Sequence, residues 1–103
     1  MKLSRLLERV TYTRLQGVLD VEVTDVVNDS RKVTRGSLFI CIKGAVTDGH
    51  QYAADVIKKG ASVLVAEDPI DAPAGVTVVY VQDTRMAMAL IAAAWYEIGR
   101  AHV

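Results

Sequence analysis

The chain is short of almost every residue that would settle its chemistry at once. Its 103 residues include one cysteine, one phenylalanine, one tryptophan, two prolines and two histidines. A single cysteine, Cys41, rules out an internal disulfide, and the apolar run around it suits a small buried hydrophobe in a reducing compartment. The histidines, His50 and His102, form no spaced ligand set with Cys41, so no metal site is expected. Net charge is also lacking: 12 Lys and Arg balance 12 Asp and Glu, so no overall basic character points to nucleic acid or to an anionic membrane. Any phosphate bound here has to be held by local geometry. No apolar stretch reaches the length of a membrane span. The opening MKLSRLLERV has no long apolar core behind its charges, so it does not read as a secretory signal, and a cytoplasmic protein is expected. A Gly-rich loop ending in Gly-Lys-Thr or Gly-Lys-Ser is missing too, and with it a Walker-type ATP site. No internal repeat is found.

What is present is a globular composition, 51% hydrophobic and 23% charged, in a chain of one-domain length. Leu3, Leu6, Leu7 and Val10 fall at helical spacing, with Ser4 as a candidate N-cap. Thr11 to Gly17 reads as a connector. A strand is expected from about Val23 to Val27. Asn28–Asp29–Ser30–Arg31 ends it with side chains that fold back on their own backbone in turns. Thr34 to Ser37 is a further turn in which Gly36 takes a positive φ. Leu38 to Ile42 is continuously apolar and suits a strand covered on both faces, stopped by Lys43–Gly44.

Asp48 with Gln51 three residues later is a capping-box pattern. The helix it opens carries Tyr52, Val56 and Ile57 as its stripe, Lys58 and Lys59 in its last turn and Gly60 at its close. Ala61 to Ala66 is the next strand, which makes a βαβ unit with a right-handed crossover. Glu67 to Gly75 holds both prolines and is a loop. Val76 to Val81 is a third β-rich run. Asp83 or Thr84 caps a helix from about Arg85 to Tyr96, with Met86, Met88, Leu90 and Ile91 as core candidates. The fold class expected is α/β: a small layered domain with a mixed sheet of four or five strands and about three helices.

Donors, a hydroxyl, an arginine and a helix start thus gather between Asn28 and His50, at strand ends where α/β folds bind ligands. Two readings of Asn28 to Arg31 stand on residue types alone. One is a turn with a surface arginine. The other is a contact to a nucleotide phosphate or sugar, with Ser30 offering a hydroxyl and Arg31 a planar fork of donors.

The last residues, EIGRAHV, do not continue the helical pattern, and Gly99 is expected to break it. The string matches what a common short-read sequencing adapter gives when translated in this frame. The division expected is therefore residues 1–96 as a substrate-binding N-terminal domain and residues 97–103 as a non-native tail, with the native chain continuing past Tyr96.

The motifs DSRKVTRGSLFICIKG, TDGHQYAADVIKKGA, VLVAE and VQDTRMAMALIAAAWYE, in that order, resemble the N-terminal domain of the Mur ligases of peptidoglycan synthesis, and within them the MurE type. The resemblance covers nearly all of residues 1–96. It implies the first of three domains, the one that holds the UDP end of the substrate UDP-MurNAc-L-Ala-D-Glu. It also implies an ATP- and Mg2+-dependent, amide-forming ligase whose ATP-binding central domain and amino-acid-binding C-terminal domain are missing here, so that this fragment alone is inactive. Neither a nucleic acid nor a membrane is implied as partner. Carried over by position, Asn28 and Ser30 are implied as substrate contacts. Ala45, Val46 and Thr47 are implied as the loop cradling the uridine end. Asp29, Arg31, Gly44 and Asp48 are implied as supporting residues, with no catalytic or metal-binding residue in this stretch. The amino acid added is meso-diaminopimelate or L-lysine. Two alternatives are the sister ligase that adds D-alanyl-D-alanine and a stand-alone nucleotide-sugar binding module. Downstream DNA separates these from each other: a Gly-Lys-Thr loop marks a ligase and a stop codon the module.

Overall fold

The computed structural model describes residues 1–101, with side chains described through residue 97. The elements run α1 (Leu3–Leu6), β1 (Arg14–Gln16), β2 (Asp25–Val27), β3 (Ser37–Ile40), α2 (Ala53–Lys58), β4 (Val63–Ala66), β5 (Thr77–Tyr80) and α3 (Thr84–Ala101). Single 3-10 turns stand at Ser30–Lys32 and Gly49–Tyr52. The five strands form one mixed sheet in the order β1-β5-β4-β3-β2. β2, β3, β4 and β5 are parallel neighbours, and β1 lies antiparallel on β5.

The apolar runs explain the layering. Side chains alternate across a strand, so a continuous apolar run feeds both faces. Leu38 and Ile40, Val63 and Val65, and Val79 and Val81 point to one face, where they pack with Leu3 and Leu6 of α1 and with Ala87 and Ile91 of α3. Phe39 and Cys41, Leu64 and Ala66, and Val78 and Tyr80 point to the other, against Ala53 and Val56 of α2 and Ile70. Each fully buried Leu, Ile, Val or Phe contributes about 1.5–3 kcal/mol, so the domain rests on these two layers.

α2 ends as its sequence says. Ala61 N–H donates to the Val56 carbonyl (3.0 Å) and Gly60 N–H to that of Ile57 (3.0 Å), with Gly60 at φ 105°. That is the paired bonding of a Schellman close, which needs the left-handed conformation glycine takes freely.

Several expectations need correction. The N-terminal helix is a single turn, preceded by Lys2 without a side-chain cap, and Ser4 lies inside it. Residues read as a connector contain β1. It has no β-branched residue and is a strand because β5 offers it an edge. Arg14 also lies over the Tyr80 ring, 5.6 Å from its centroid. Asp48 and Gln51 do not form a reciprocal capping box. Asp48 Oδ1 accepts from His50 N–H (2.9 Å), which winds a 3-10 turn first, and the α-helix starts only at Ala53. Asp83, not Thr84, caps α3, accepting from Met86 N–H at 3.1 Å. Met86 is 59% exposed rather than core. Gly99 does not break α3, which runs on to Ala101. One glycine inside a helix costs only about 1 kcal/mol, too little to end a helix otherwise in place. His102 and Val103, the end of the expected non-native tail, lie outside the described residues.

Only the β3–β4 connection contains an α-helix. β2 reaches β3 through residues 28–36, and β4 reaches β5 through residues 67–76. The carboxyl ends of β2, β3 and β4 therefore open into the stretches 28–31, 41–50 and 67–70 at one edge of the sheet.

Candidate functional site

An open groove of about 620 Å³ lies at that edge, lined by Asn28, Asp29, Ser30, Arg31, Ile42, Gly44, Thr47, Gly49 and Tyr52. Of the residues singled out in the sequence, Asn28, Asp29, Ser30, Arg31, Gly44 and Thr47 meet there. Ala45, Val46 and Asp48 do not line its wall. Val46 is 95% exposed at the loop tip, and Asp48 turns toward His50. Ile42, Gly49 and Tyr52 line the groove and were missed. Tyr52 packs against the core on its helical stripe as expected and lines the groove as well, and Gly49 belongs to the helix start.

The Asn28–Arg31 wall is built by its own side chains. Asp29 Oδ1 accepts from the Arg31 N–H (2.9 Å) and from Arg31 Nε (3.0 Å), while Oδ2 accepts from the second guanidinium nitrogen (2.8 Å). The Arg31 side chain, then the Arg31 backbone N–H, hold the Asp29 carboxyl down to about 2. Arg31 is pushed up in return by Asp29. Its fork is thus largely engaged, and the residue shapes the turn. Among the described residues the Ser30 hydroxyl bonds to nothing, while its carbonyl accepts from Lys59 Nζ (3.0 Å). Asn28 Nδ2 lies 3.5 Å from Met88 Sδ, so a methionine that packs against the core, as expected, also touches the site.

The facing loop is a tight reversal. Lys43 and Asp48 pair as an isolated antiparallel bridge, and Gly44 N–H donates to the Thr47 carbonyl at 2.8 Å. Among the described residues the N–H groups of Ala45, Val46 and Thr47 have no acceptor. Successive free backbone N–H groups in a turn make an anion-binding concavity. Gly49 sits beneath: a Cβ on it would lie 2.7 Å from Ile42 N and 3.1 Å from Cys41 Cα, so only glycine allows this approach. Its N–H donates to the Ile42 carbonyl at 2.8 Å.

Three cations beside the groove are already paired. Arg31 holds Asp29, Lys43 holds Asp68 (3.0 Å) and Lys59 holds Asp55 (3.1 Å). An anion here would find N–H groups without an acceptor and a free hydroxyl beside cations that are mostly engaged. That agrees with the zero net charge of the chain.

Asp48, His50 and Asp68 bring one potential ligand atom each to within 4.8 Å of one another, a convergence that the sequence did not disclose. His50 disqualifies it as a cation cage. Its Nε2 lies 3.0 Å from the Glu67 N–H and 3.2 Å from that of Asp68, so this nitrogen accepts and carries no proton. Its Nδ1 then carries the proton and donates to Asp48 Oδ1 at 2.6 Å. Neither nitrogen has a lone pair left for a metal. The His50 N–H first, and its side chain second, hold the Asp48 carboxyl below the usual carboxylate range. The sequence contains no Gly-Lys-Thr or Gly-Lys-Ser segment, and Asp48 and Asp68 are engaged with His50 and Lys43.

Residues 22–96 match the family described as "Mur ligase family, catalytic domain". The chain belongs to the Mur ligase family. Its sequence is 45% identical over 96 residues to the UDP-N-acetylmuramoyl-L-alanyl-D-glutamate--2,6-diaminopimelate ligase of Clostridioides difficile (strain 630), covering 93% of this chain and 20% of that one. It is 44% identical over 96 residues to the enzyme of the same name from Alkaliphilus metalliredigens (strain QYMF), covering 93% and 19%. The fold is similar to that of MurF from Acinetobacter baumannii, with a TM-score of 0.78 at 27% identity over 90% of this chain and 20% of the MurF chain. The expected α/β architecture is thus shared with Mur ligases of solved structure. The chain spans about a fifth of the length of the curated relatives it matches. Among the described residues no helix is long and apolar enough to cross a membrane.

Proposed function

We propose that this chain is the UDP-substrate-binding part of an ATP-dependent, amide-forming ligase of peptidoglycan synthesis, acting in the cytoplasm on UDP-N-acetylmuramoyl-L-alanyl-D-glutamate. The observation that carries the reading is the groove lined by Ser30, with its free hydroxyl, and by Gly44 and Thr47 of the loop whose 45–47 N–H groups have no acceptor among the described residues. A diphosphate needs donors more than net charge, and these elements supply them. Asn28 adds an amide at the rim, Val46 offers an apolar tip for the uracil ring, and Asp29, Arg31, Gly44 and Asp48 hold the two walls in shape.

In this reading the part described here does no bond making. It fixes the nucleotide end, so that binding energy far from the reacting D-glutamate carboxylate is used to position it. ATP and Mg2+, which would activate that carboxylate as an acyl phosphate, belong to the central domain of the longer relatives. The incoming amine, of meso-diaminopimelate or L-lysine, belongs to their third domain. The native sequence is proposed to continue past Tyr96, with residues 97–103 foreign to it.

The D-alanyl-D-alanine-adding ligase is the second reading, favoured by the fold match to MurF. The higher sequence identity to the diaminopimelate-adding enzymes argues for the first. The test is a titration of the 103-residue chain with UDP-N-acetylmuramoyl-L-alanyl-D-glutamate, followed by amide NMR. Shifts at Ser30 and at residues 44–48 support the proposal, with Ser30→Ala weakening the dissociation constant by about tenfold, the worth of one good polar contact. Shifts confined elsewhere refute it. Ligation or ATP hydrolysis by this chain alone would refute the division of labour.

A further inference from the structure

His50 has no part in the reading above, yet its side chain makes three hydrogen bonds beside the groove. Its side chain is 9% exposed, and it lies one turn beyond the loop. It bonds in two directions. Through Nδ1 it holds the Asp48 carboxylate, which closes the 43–48 reversal. Through Nε2 it gathers the N–H groups of Glu67 and Asp68, which begin the β4–β5 loop. Both of those residues return to neighbouring elements. Asp68 holds Lys43, the other end of the reversal, at 3.0 Å. Glu67 Oε2 accepts from the N–H and the hydroxyl of Thr84, both at 2.9 Å, at the first residue of α3. Arg85 completes the ring by donating to the Lys43 carbonyl at 3.2 Å.

We infer that His50 is the positioning residue of the 44–47 loop: its neutral, Nδ1-protonated ring ties that loop to the β4–β5 loop and to the start of α3. The inference rests on reading residues 44–47 as the substrate loop. The physical point is the fixed tautomer. Two backbone donors converge on Nε2, and a carboxylate sits on Nδ1, so only one arrangement of one proton satisfies all four groups. Without the imidazole, two N–H groups lose their acceptor and the Asp48 carboxylate loses one of its two donors, so the 43–48 reversal is left on its backbone bonds and the Lys43–Asp68 pair, without its tie to the Glu67 and Asp68 N–H groups. A glutamine can keep part of this, because its Oε1 reaches the place of Nε2 and accepts from Glu67 and Asp68.

The test uses the 103-residue chain, its His50→Ala and His50→Gln variants, and UDP-N-acetylmuramoyl-L-alanyl-D-glutamate as probe. A long-range proton–nitrogen spectrum of the unmodified chain should show the His50 proton on Nδ1 and an unprotonated Nε2. A proton on Nε2 overturns the inference whether or not the variants fold. In His50→Ala the amides of 44–47 should shift and exchange faster, and the probe should bind about tenfold more weakly, the loss of about one hydrogen bond to a charged group. His50→Gln, which keeps the acceptor for Glu67 and Asp68 but not the donor to Asp48, should bind more tightly than His50→Ala and more weakly than the unmodified chain, which a role in packing alone would not produce. Equal binding by His50→Ala, with the 44–47 amides undisturbed, overturns the inference. Failure of the unmodified chain to bind the probe would instead refute the substrate reading. In that case the response of the 44–47 amides to His50→Ala decides on positioning alone.

Discussion

Lys59 Nζ donates to the backbone carbonyl of Ser30 at 3.0 Å, so the end of α2 props the turn that carries the free hydroxyl. The same ammonium pairs with Asp55 one turn back on its helix. Lys59→Met keeps the aliphatic stem and removes both contacts. The expected loss of stability is small, within about 1 kcal/mol, because both partners are partly exposed. The amides of residues 30–33 should nevertheless shift, as read in a proton–nitrogen correlation spectrum. An unchanged turn would show that Asp29 and Arg31 hold it unaided.

Gly49 has no room for a side chain. A Cβ there meets backbone atoms of Cys41 and Ile42, which cannot swing aside as a side-chain tip can. Gly49→Ala should cost about 1–3 kcal/mol in urea unfolding, the range for overpacking, and should displace the 43–48 reversal. Loss of amide dispersion at 44–48 with β4 and β5 intact is the expected spectrum.

Asp29 sets a pH window for the turn. Its folded value, about 2, lies below the ordinary 3.8, so its carboxylate contact with Arg31 stabilises the folded turn above the unfolded value. That contribution fades as pH falls from near 4 through about 2. Carboxyl carbon shifts followed between pH 6 and 1.5 should give an Asp29 midpoint near 2. Arg31→Ala should raise that midpoint toward the ordinary value, because the larger cause is removed. An unchanged midpoint would assign the effect to other groups.

Cys41 should be inert. Burial, reinforced by Asp48 and Asp68, pushes its thiol up to about 12, and the residue is fully buried. Iodoacetamide at pH 8 should leave it unmodified in the native chain and label it fully in urea, as read by mass spectrometry. Fast native labelling would show that the sheet opens beside the groove.

The strand cores were legible because each apolar run is bounded by turn residues and too short for a helix. Leu38–Ile40, Val63–Ala66 and Val78–Tyr80 all follow that rule. Gly60 was legible because the Schellman close has its own chemistry. β1 was not: Arg14–Leu15–Gln16 is a strand only by virtue of the β5 edge and Arg14's contact with Tyr80, neither of which has a local trace. The site divided in the same way. The Asn28–Arg31 cluster and the Gly44 loop announced themselves through turn residues. Tyr52 and Met88 do pack against the core, but their second role at the site was not legible, because helical spacing says nothing of what stands at the end of a side chain. The meeting of His50 with Glu67 and Asp68 spans 17 and 18 residues, which no motif encodes.

α3 is the longest element, 18 residues, and its first residue is tied by Glu67 to the edge of the sheet where the groove opens. A rod of that length extends about 27 Å at 1.5 Å per residue. A pivot of about 5° at Thr84 would sweep its distal tip by about 2 Å on that same geometry. Any tilt at that tie is therefore magnified along the helix, and exposed Tyr96 is displaced further than Thr84.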